Sequence, residues 1–283
     1  MKTAASILAT LLLVLAAACG EQPEPAADRT GADSTVALSG EISVVGSTTV
    51  QPLAEVLGEA FEALNPDVTI IVSGGGSSVG VKSAGDGSAQ VGMASRHIKS
   101  SEFDEFPGIV VHTIANDGIA IVAEPGVTVD ALTMDQCRDI FSGAVTNWNQ
   151  VGGPDMAIIV VSREEGSGTR GAFEELVLGE EALMAETAIL QPSNGAVRTT
   201  CSTTPGAVAY LSFGYLDPTV KTIAVDGAEP TPENVANGSY PVSRPLNMIT
   251  SGEPQGLVAA WLSFIESEDG QAVVVGEGYL PIN

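Results

Sequence analysis

Three times along this chain an apolar run stops at a Gly/Ser/Thr turn and a helical pattern begins directly after it. Ile42–Val45 leads into Gly46-Ser47-Thr48-Thr49; the helical pattern that follows has Leu53, Val56, Leu57, Ala60, Phe61 and Leu64 on one face and Pro52 near its start. Val68–Val72 leads into Gly74-Gly75-Gly76-Ser77-Ser78 and a helix around Val79–Ala84. Ala157–Val161 leads into Arg163-Glu164-Glu165-Gly166-Ser167-Gly168-Thr169-Arg170, then a helix with Phe173, Leu176 and Val177 on one face that ends at Gly179. A helix start exposes unpaired N–H groups and the positive end of the peptide dipoles. With hydroxyls beside them and an arginine fork at the third, the corners together would form a cage of donors suited to a tetrahedral oxyanion. One such corner would be an ordinary N-cap. Three point to strand ends and helix starts meeting at one place.

The rest of the chain keeps the alternation. Val91–Ala94 and Ile119–Ala123 read as strands, and Thr133-Met134-Asp135-Gln136 is a capping box before a helix ending near Gly143. Ala207–Leu211, an alternating apolar segment, and Leu246–Ile249 follow. A C-terminal helix carries Leu257, Val258, Trp261, Phe264 and Ile265 on one face and stops before Gly270. There is no internal repeat. The pattern predicts an α/β fold with largely parallel sheets, in which ligands sit at strand C-termini and helix N-termini.

The first residues belong to targeting rather than to the fold. Lys2, the short apolar core Ile7–Leu15 and the small residues Ala16-Ala17-Ala18 precede Cys19 and Gly20. Residues 1–18 read as a bacterial lipoprotein signal peptide, with Cys19 lipidated as the new N-terminus, although Ala16 stands where leucine is usual. The apolar run is too short to span a bilayer. Residues 19–40, rich in Pro, Ala, Asp, Ser and Thr, read as a disordered tether. Residues 41–283 are long enough for one large domain or two lobes.

The formal charge of −24 excludes nucleic acid as a partner, because no basic stripe meets the phosphate backbone. It does not exclude an anion site: salt screens surface charge beyond about 8–10 Å, whereas cleft donors act at contact distance. With Cys19 lipidated, Cys137 and Cys201 remain, and export favours a disulfide between them.

Catalysis is disfavoured. Gly76-Ser77-Ser78-Val79-Gly80 matches the Gly-x-Ser-x-Gly elbow of hydrolases. Only His97 and His112 could serve as a histidine base, and neither lies in a distinctive setting. A serine hydrolase or phosphatase is therefore the weaker alternative. No His/Cys cluster or calcium-loop spacing suggests a metal, no cofactor is implied, and the glycine-rich turns lack a P-loop lysine.

Taken together, Gly46–Val50, Gly74–Ser78, Val91–Arg96, Asn116-Asp117-Gly118, Asp139–Gly143 with Asn147-Trp148, Arg163–Thr169 and Gly278–Pro281 carry a resemblance. The chain resembles the phosphate-binding lipoproteins of bacterial ABC phosphate transporters, in the shorter branch of that family, over residues 41–283. The resemblance implies a two-lobed class II periplasmic-binding (Venus flytrap) fold: 41–115 with 240–283 as lobe 1, 116–239 as lobe 2. It implies a monomer that binds inorganic phosphate and delivers it to a membrane permease. It also implies a lipid anchor holding the protein to the outer face of the cytoplasmic membrane or in the periplasm. Another oxyanion, sulfate or molybdate, is the alternative ligand. Carried over by motif, Thr48, Thr49, Ser77, Arg163, Ser167, Gly168 and Thr169 would hold phosphate, with Ser47 and Ser78 as second choices. In the longer branch an aspartate follows the Ala-Ser pair; here it is Arg96, which either donates to the anion or pairs with a carboxylate. Asp117, just before the crossover strand, is the candidate acceptor of the phosphate's proton.

Overall fold

The computed structural model describes residues 37–180 and 182–282; the signal peptide, Cys19 and the tether up to residue 36 lie outside the described residues. In chain order the elements are β1 Gly40–Gly46, α1 Val50–Leu64, β2 Val68–Gly74, α2 Ser77–Gly85, β3 Val91–Ala94 and α3 Ser100–Glu105. Next come β4 Ile109–Ala123, β5 Ala131–Leu132, α4 Met134–Ser142, β6 Ile159–Arg163, α5 Gly168–Phe173 and β7 Ile189–Gln191. The last are α6 Asn194–Thr203, β8 Ala207–Ser212, β9 Lys221–Val225, α7 Pro232–Ala236, β10 Ser243–Ser251, α8 Gly256–Glu266 and α9 Glu268–Gly276.

Among the described residues the strands run in the order β2-β1-β3-β10-β4-β8-β6-β7, with β9 also against β4 and β5 against β9. The flanks are parallel (β1 with β2 and β3; β6 with β7 and β8), as expected for strands joined through helices. The middle is antiparallel, so the sheet is mixed rather than largely parallel: β10 runs against both β3 and β4, and β4 against β8 and β9.

The long strand β4 organises the molecule. Its first part pairs with β10 and its last five residues, Ile119–Ala123, pair with β8. Two main hydrophobic cores lie on either side of that change of partner. One gathers Ile42, Leu53, Phe61, Met93, Leu246 and Trp261; the other gathers Ile121, Phe141, Trp148, Phe173, Tyr210 and Tyr240. Between them β4 and β10 carry charged residues in place of apolar ones: Asp117 and Arg244 are direct register partners. A β-bulge between Leu246 and Asn247 shifts the ladder just beyond this point.

Helix α2 lies unusually close to its sheet. A Cβ on Gly80 would stand 2.3 Å from the Met93 carbonyl oxygen, so only glycine permits this approach. That contact sets Ser77, at the start of α2, beside the end of β3.

Four local expectations need correction. Leu176 is 38% exposed while Val177 and Leu178 are buried. A π-helical turn over Glu174–Leu178 continues α5 and rotates the inward face by about one residue. Ala207–Leu211 does not alternate: every residue of β8 is buried, because the strand is covered on both faces. Helical structure resumes after α8, which ends at Glu266: Ser267 caps α9 through Gly270 N–H, so Gly270 lies in the first turn of a further helix rather than beyond the last one. Cys137 and Cys201 are both free thiols. Cys201 Sγ lies 3.9 Å from the Val122 carbonyl, and Cys137 is buried on α4 in the second core. Burial pushes both thiols up to about 12.

Candidate functional site

The three sequence corners do meet, at the junction of the two cores. The β1–α1 and β2–α2 corners come from the first core side, and the β6–α5 corner comes from the second. Ser47, Thr48, Thr49, Ser77, Arg163, Ser167 and Thr169 are all buried. The sides touch directly: Ser78 N donates to Gly166 O at 3.1 Å, and Thr49 Oγ1 meets Thr169 Oγ1 at 2.9 Å. Gly168 is what allows this. A Cβ there would lie 2.1 Å from Ser77 Oγ and 2.7 Å from Ser95 Oγ.

A hydroxyl has one proton to give and two lone pairs to fill. Ser77 Oγ accepts from Ser95 N (3.0 Å), and Ser167 Oγ, the N-cap of α5, accepts from Arg170 N (3.3 Å). Thr49 Oγ1 accepts from Asn194 Nδ2 (2.8 Å) and Arg244 Nη2 (3.2 Å), so it gives its own proton to Thr169. Thr48 Oγ1 is buried without a hydrogen-bond partner. The O–H groups of Thr48, Ser77, Ser167 and Thr169 are thus left to donate, two from each side. Ser47 spends its proton on Ser95 Oγ (2.9 Å), and Ser78, whose Oγ accepts from Arg96 Nη2 (3.1 Å), lines the outer cleft, so both shape the loops.

Outside the corners, tyrosines set the backbone. Tyr215 Oη donates to Thr48 O (2.6 Å) and Tyr279 Oη to Thr49 O (3.2 Å). Tyr210 stacks on Phe173 at 4.1 Å, hydrogen-bonds Ser162 Oγ (2.7 Å) and accepts from Arg163 N (3.2 Å). Burial pushes its phenol up to about 12, so it stays a neutral anchor for the end of β6.

The arginines divide sharply. Arg163, 1% exposed, uses Nε and Nη2 on Glu164 and on the carbonyls of Gln191 and Pro192, which leaves Nη1 out of these bonds. Arg170 turns to Glu174 (2.7 Å) and to its neighbour's carbonyl, Arg163 O. Of the two roles open to Arg96, the geometry gives the carboxylate pair: a two-pronged bond to Glu102 at 2.7 and 2.8 Å, plus His97 O. Arg96, Lys99 and Arg170 line a cleft of about 330 Å³ on the outer side of the corner contacts, together with Glu165 and Glu174.

Asp117 is fully buried, but it does not stand alone before the corners. Its Oδ2 accepts from Arg244 Nε (3.2 Å) and Nη2 (2.9 Å), and its Oδ1 accepts from Phe213 N (3.2 Å). Desolvation raises its carboxyl above the ordinary range, against the pull of Arg244. Arg244, Asn194, Tyr215 and Tyr279 were not read from the sequence. Arg244 stands two residues before the apolar run Leu246–Ile249, outside the bounds read for that strand.

Among the described residues no histidine base is paired with Ser77. His112 Nε2 pairs with Thr250 Oγ1 (3.0 Å), and His97 is exposed.

Comparison with known proteins agrees with this geometry. The PBP superfamily domain matches residues 24–269, which sets the class: a binding protein of the mixed α/β PBP-like fold. The phosphate-binding protein PstS of Bacillus subtilis is 34% identical over 281 residues, covering 98% of this chain and 92% of that protein. A Clostridium perfringens protein, described as a phosphate ABC transporter substrate-binding protein and solved with phosphate bound, superposes with a TM-score of 0.83. It is 39% identical and covers 86% of this chain and 100% of that one. An ABC-type phosphate transport receptor from Vibrio cholerae gives a TM-score of 0.71 at 34% identity, over 84% of this chain and 99% of that one. The chain belongs to the PstS family of phosphate-binding proteins.

Proposed function

We propose that this protein captures inorganic phosphate outside the cytoplasm and hands it to the permease of an ABC transporter. The observation that carries the reading is the set of unspent hydroxyl protons on Thr48, Ser77, Ser167 and Thr169, drawn from both sides of one junction. Four converging O–H donors with an arginine beside them suit a small tetrahedral anion and leave little for a neutral ligand. Thr49, Gly168 and Arg163 complete the enclosure. The names of the relatives point to the same anion.

In this reading the two lobes expected from the sequence, 41–115 with 240–283 and 116–239, part and close around the ligand, with β4 and β10 as the links; Tyr240 and Val242 pack in the second core, so the return crossing falls after Val242. Two separate cores support independent lobe motion. Lipidated Cys19 holds the protein at the membrane face from which the permease takes its load; Cys19→Ser should release it to the soluble fraction.

Isothermal titration of phosphate into phosphate-stripped full chain tests the ligand. One site per chain is expected, with sulfate and molybdate weaker. No heat with phosphate alongside clear binding of another oxyanion would overturn the assignment.

A further inference from the structure

Thr48 Oγ1 is not the only buried polar atom near this junction without a partner. Arg244 Nη1 and Asn194 Oδ1 are also buried and unpaired among the described residues. The two residues are 3% and 0% exposed. A buried polar atom left unpaired keeps its desolvation penalty with nothing to offset it, so each calls for an explanation. Both residues bond the same atom, Thr49 Oγ1: Asn194 through Nδ2 and Arg244 through Nη2. That atom is also tied to Thr169, so the two unpaired groups border the hydroxyl cage itself.

Their chemistry differs from the cage in a way that matters. Arg244 Nη1 can only donate. Asn194 Oδ1 can only accept, and it is uncharged. A fully ionised tetrahedral anion such as sulfate has no proton to give such an acceptor. An anion that keeps one hydroxyl does. Asp117 is poorly placed for that task, since Arg244 and Phe213 N–H already occupy both its oxygens.

Resting on the phosphate reading above, we propose that Arg244 and Asn194 complete the anion site, Arg244 donating to a ligand oxygen through Nη1 and Asn194 Oδ1 accepting the ligand's own proton. Asp117 is then the positioning residue that holds Arg244 in the β4–β10 ladder. The site thereby selects a protonated oxyanion, hydrogen phosphate or hydrogen arsenate, over sulfate. It does so without placing a bare carboxylate against a dianion. Asn194 reaches the spot because Ser193 caps α6 through Ala196 N (3.1 Å), which puts Asn194 first in the helix and against Thr49.

The test is titration of phosphate and of sulfate into the phosphate-stripped full chain and its variants. Arg244→Gln alone leaves Asp117 buried without a counter-ion and destabilises the fold, so the Arg244→Gln/Asp117→Asn pair, neutral throughout, is the primary variant. It should keep its melting temperature near the parent's and lose phosphate affinity about a hundred-fold. Arg244→Lys keeps the charge for Asp117 but not the fork, and should lose about tenfold. Asn194→Ala should weaken phosphate while sparing sulfate, so the phosphate-to-sulfate ratio falls. Asn194→Asp should depress sulfate further than phosphate, so the ratio rises. A merely structural Asn194 would weaken both anions equally. Folded Arg244 variants that bind phosphate like the parent, or Asn194 variants with an unchanged ratio, overturn this inference while leaving the phosphate reading intact. A parent that ignores phosphate overturns that reading and the role given to Asn194 with it.

Discussion

Two arginine–carboxylate pairs, one part-buried and one fully buried, stand near the same junction, and they are built for opposite ends. Arg96 at the rim has its Nη groups satisfied: Glu102 takes two bonds, His97 O and Ser78 Oγ one each. Arg244 at the centre grips Asp117 and Thr49 and keeps Nη1 unpaired. Position in a motif pointed to Arg96; the accounting of donors points to Arg244. A cation serves a ligand only with what its protein partners leave unused. The rim pair orders a loop, and the central pair presents a donor.

Alanine at Arg163, Arg170 and Arg96 probes that contrast where the expected effect is largest. Arg163→Ala should weaken phosphate binding about a hundred-fold, since it removes a buried charge-assisted donor. Arg170→Ala and Arg96→Ala should each change affinity by less than about threefold, while Arg96→Ala lowers the melting temperature by leaving Glu102 unpaired. Equal losses from all three would erase the distinction between rim and centre.

Two glycines a turn apart sharpen it sterically. Gly168→Ala would drive a methyl into Ser77 Oγ, which Ser95 N–H holds in place, so the two sides could not seat; affinity should fall at least tenfold. Gly171→Ala would meet the Arg96 side chain, Cδ at 3.2 Å and Nε at 3.8 Å, a milder approach on the rim side, and should change affinity by less than about threefold. Small-angle scattering with phosphate would show the first variant failing to contract.

A smaller effect belongs to the rim pair alone. Burial pushes the Glu102 carboxyl up, but the Arg96 fork and the Lys99 N–H outweigh it and hold the group below the usual carboxylate range. Its folded value is therefore below its unfolded one. The stability it contributes is present above the ordinary carboxylate range and is lost as pH falls through the folded value. Glu102→Gln should flatten the acid limb of the melting curve by about 1 kcal/mol and leave phosphate affinity untouched. An unchanged acid limb would mean the pair contributes nothing.

The smallest signal comes from the second core. With Cys137 and Cys201 free, buried and pushed up to about 12, a thiol reagent at neutral pH should find neither in the native protein and both after unfolding without reductant. Loss of both signals in the unfolded chain would restore the disulfide.

Much of this was legible in the sequence, and the rest failed for identifiable reasons. The corners were readable because each is local: glycine, hydroxyls and a helix start lie within a few residues, as at Gly46–Thr49 and Ser167–Thr169. The α4 capping box at Thr133 and Gln136 formed as read, for the same reason. Arg244 and Asn194 were not readable, because their partner Thr49 lies 195 and 145 residues away along the chain. The disulfide expectation rested on compartment alone, and compartment says nothing of which way α4 and α6 turn their cysteines. The antiparallel centre of the sheet escaped because only the last third of β4 reads as a buried strand. Its first part, Ile109–Gly118, is less uniformly apolar and was left unassigned.

The central claim is that the anion lies among Thr48, Ser77, Ser167, Thr169 and Arg244, inside the corners rather than at the rim. Arsenate, tetrahedral and protonated like phosphate, carries an atom that X-ray anomalous scattering locates directly. Crystals grown with arsenate should give one strong arsenic peak within hydrogen-bonding reach of those hydroxyls and of Arg244 Nη1. A sole peak in the outer cleft, beside Arg96, Lys99 and Arg170, would contradict the account.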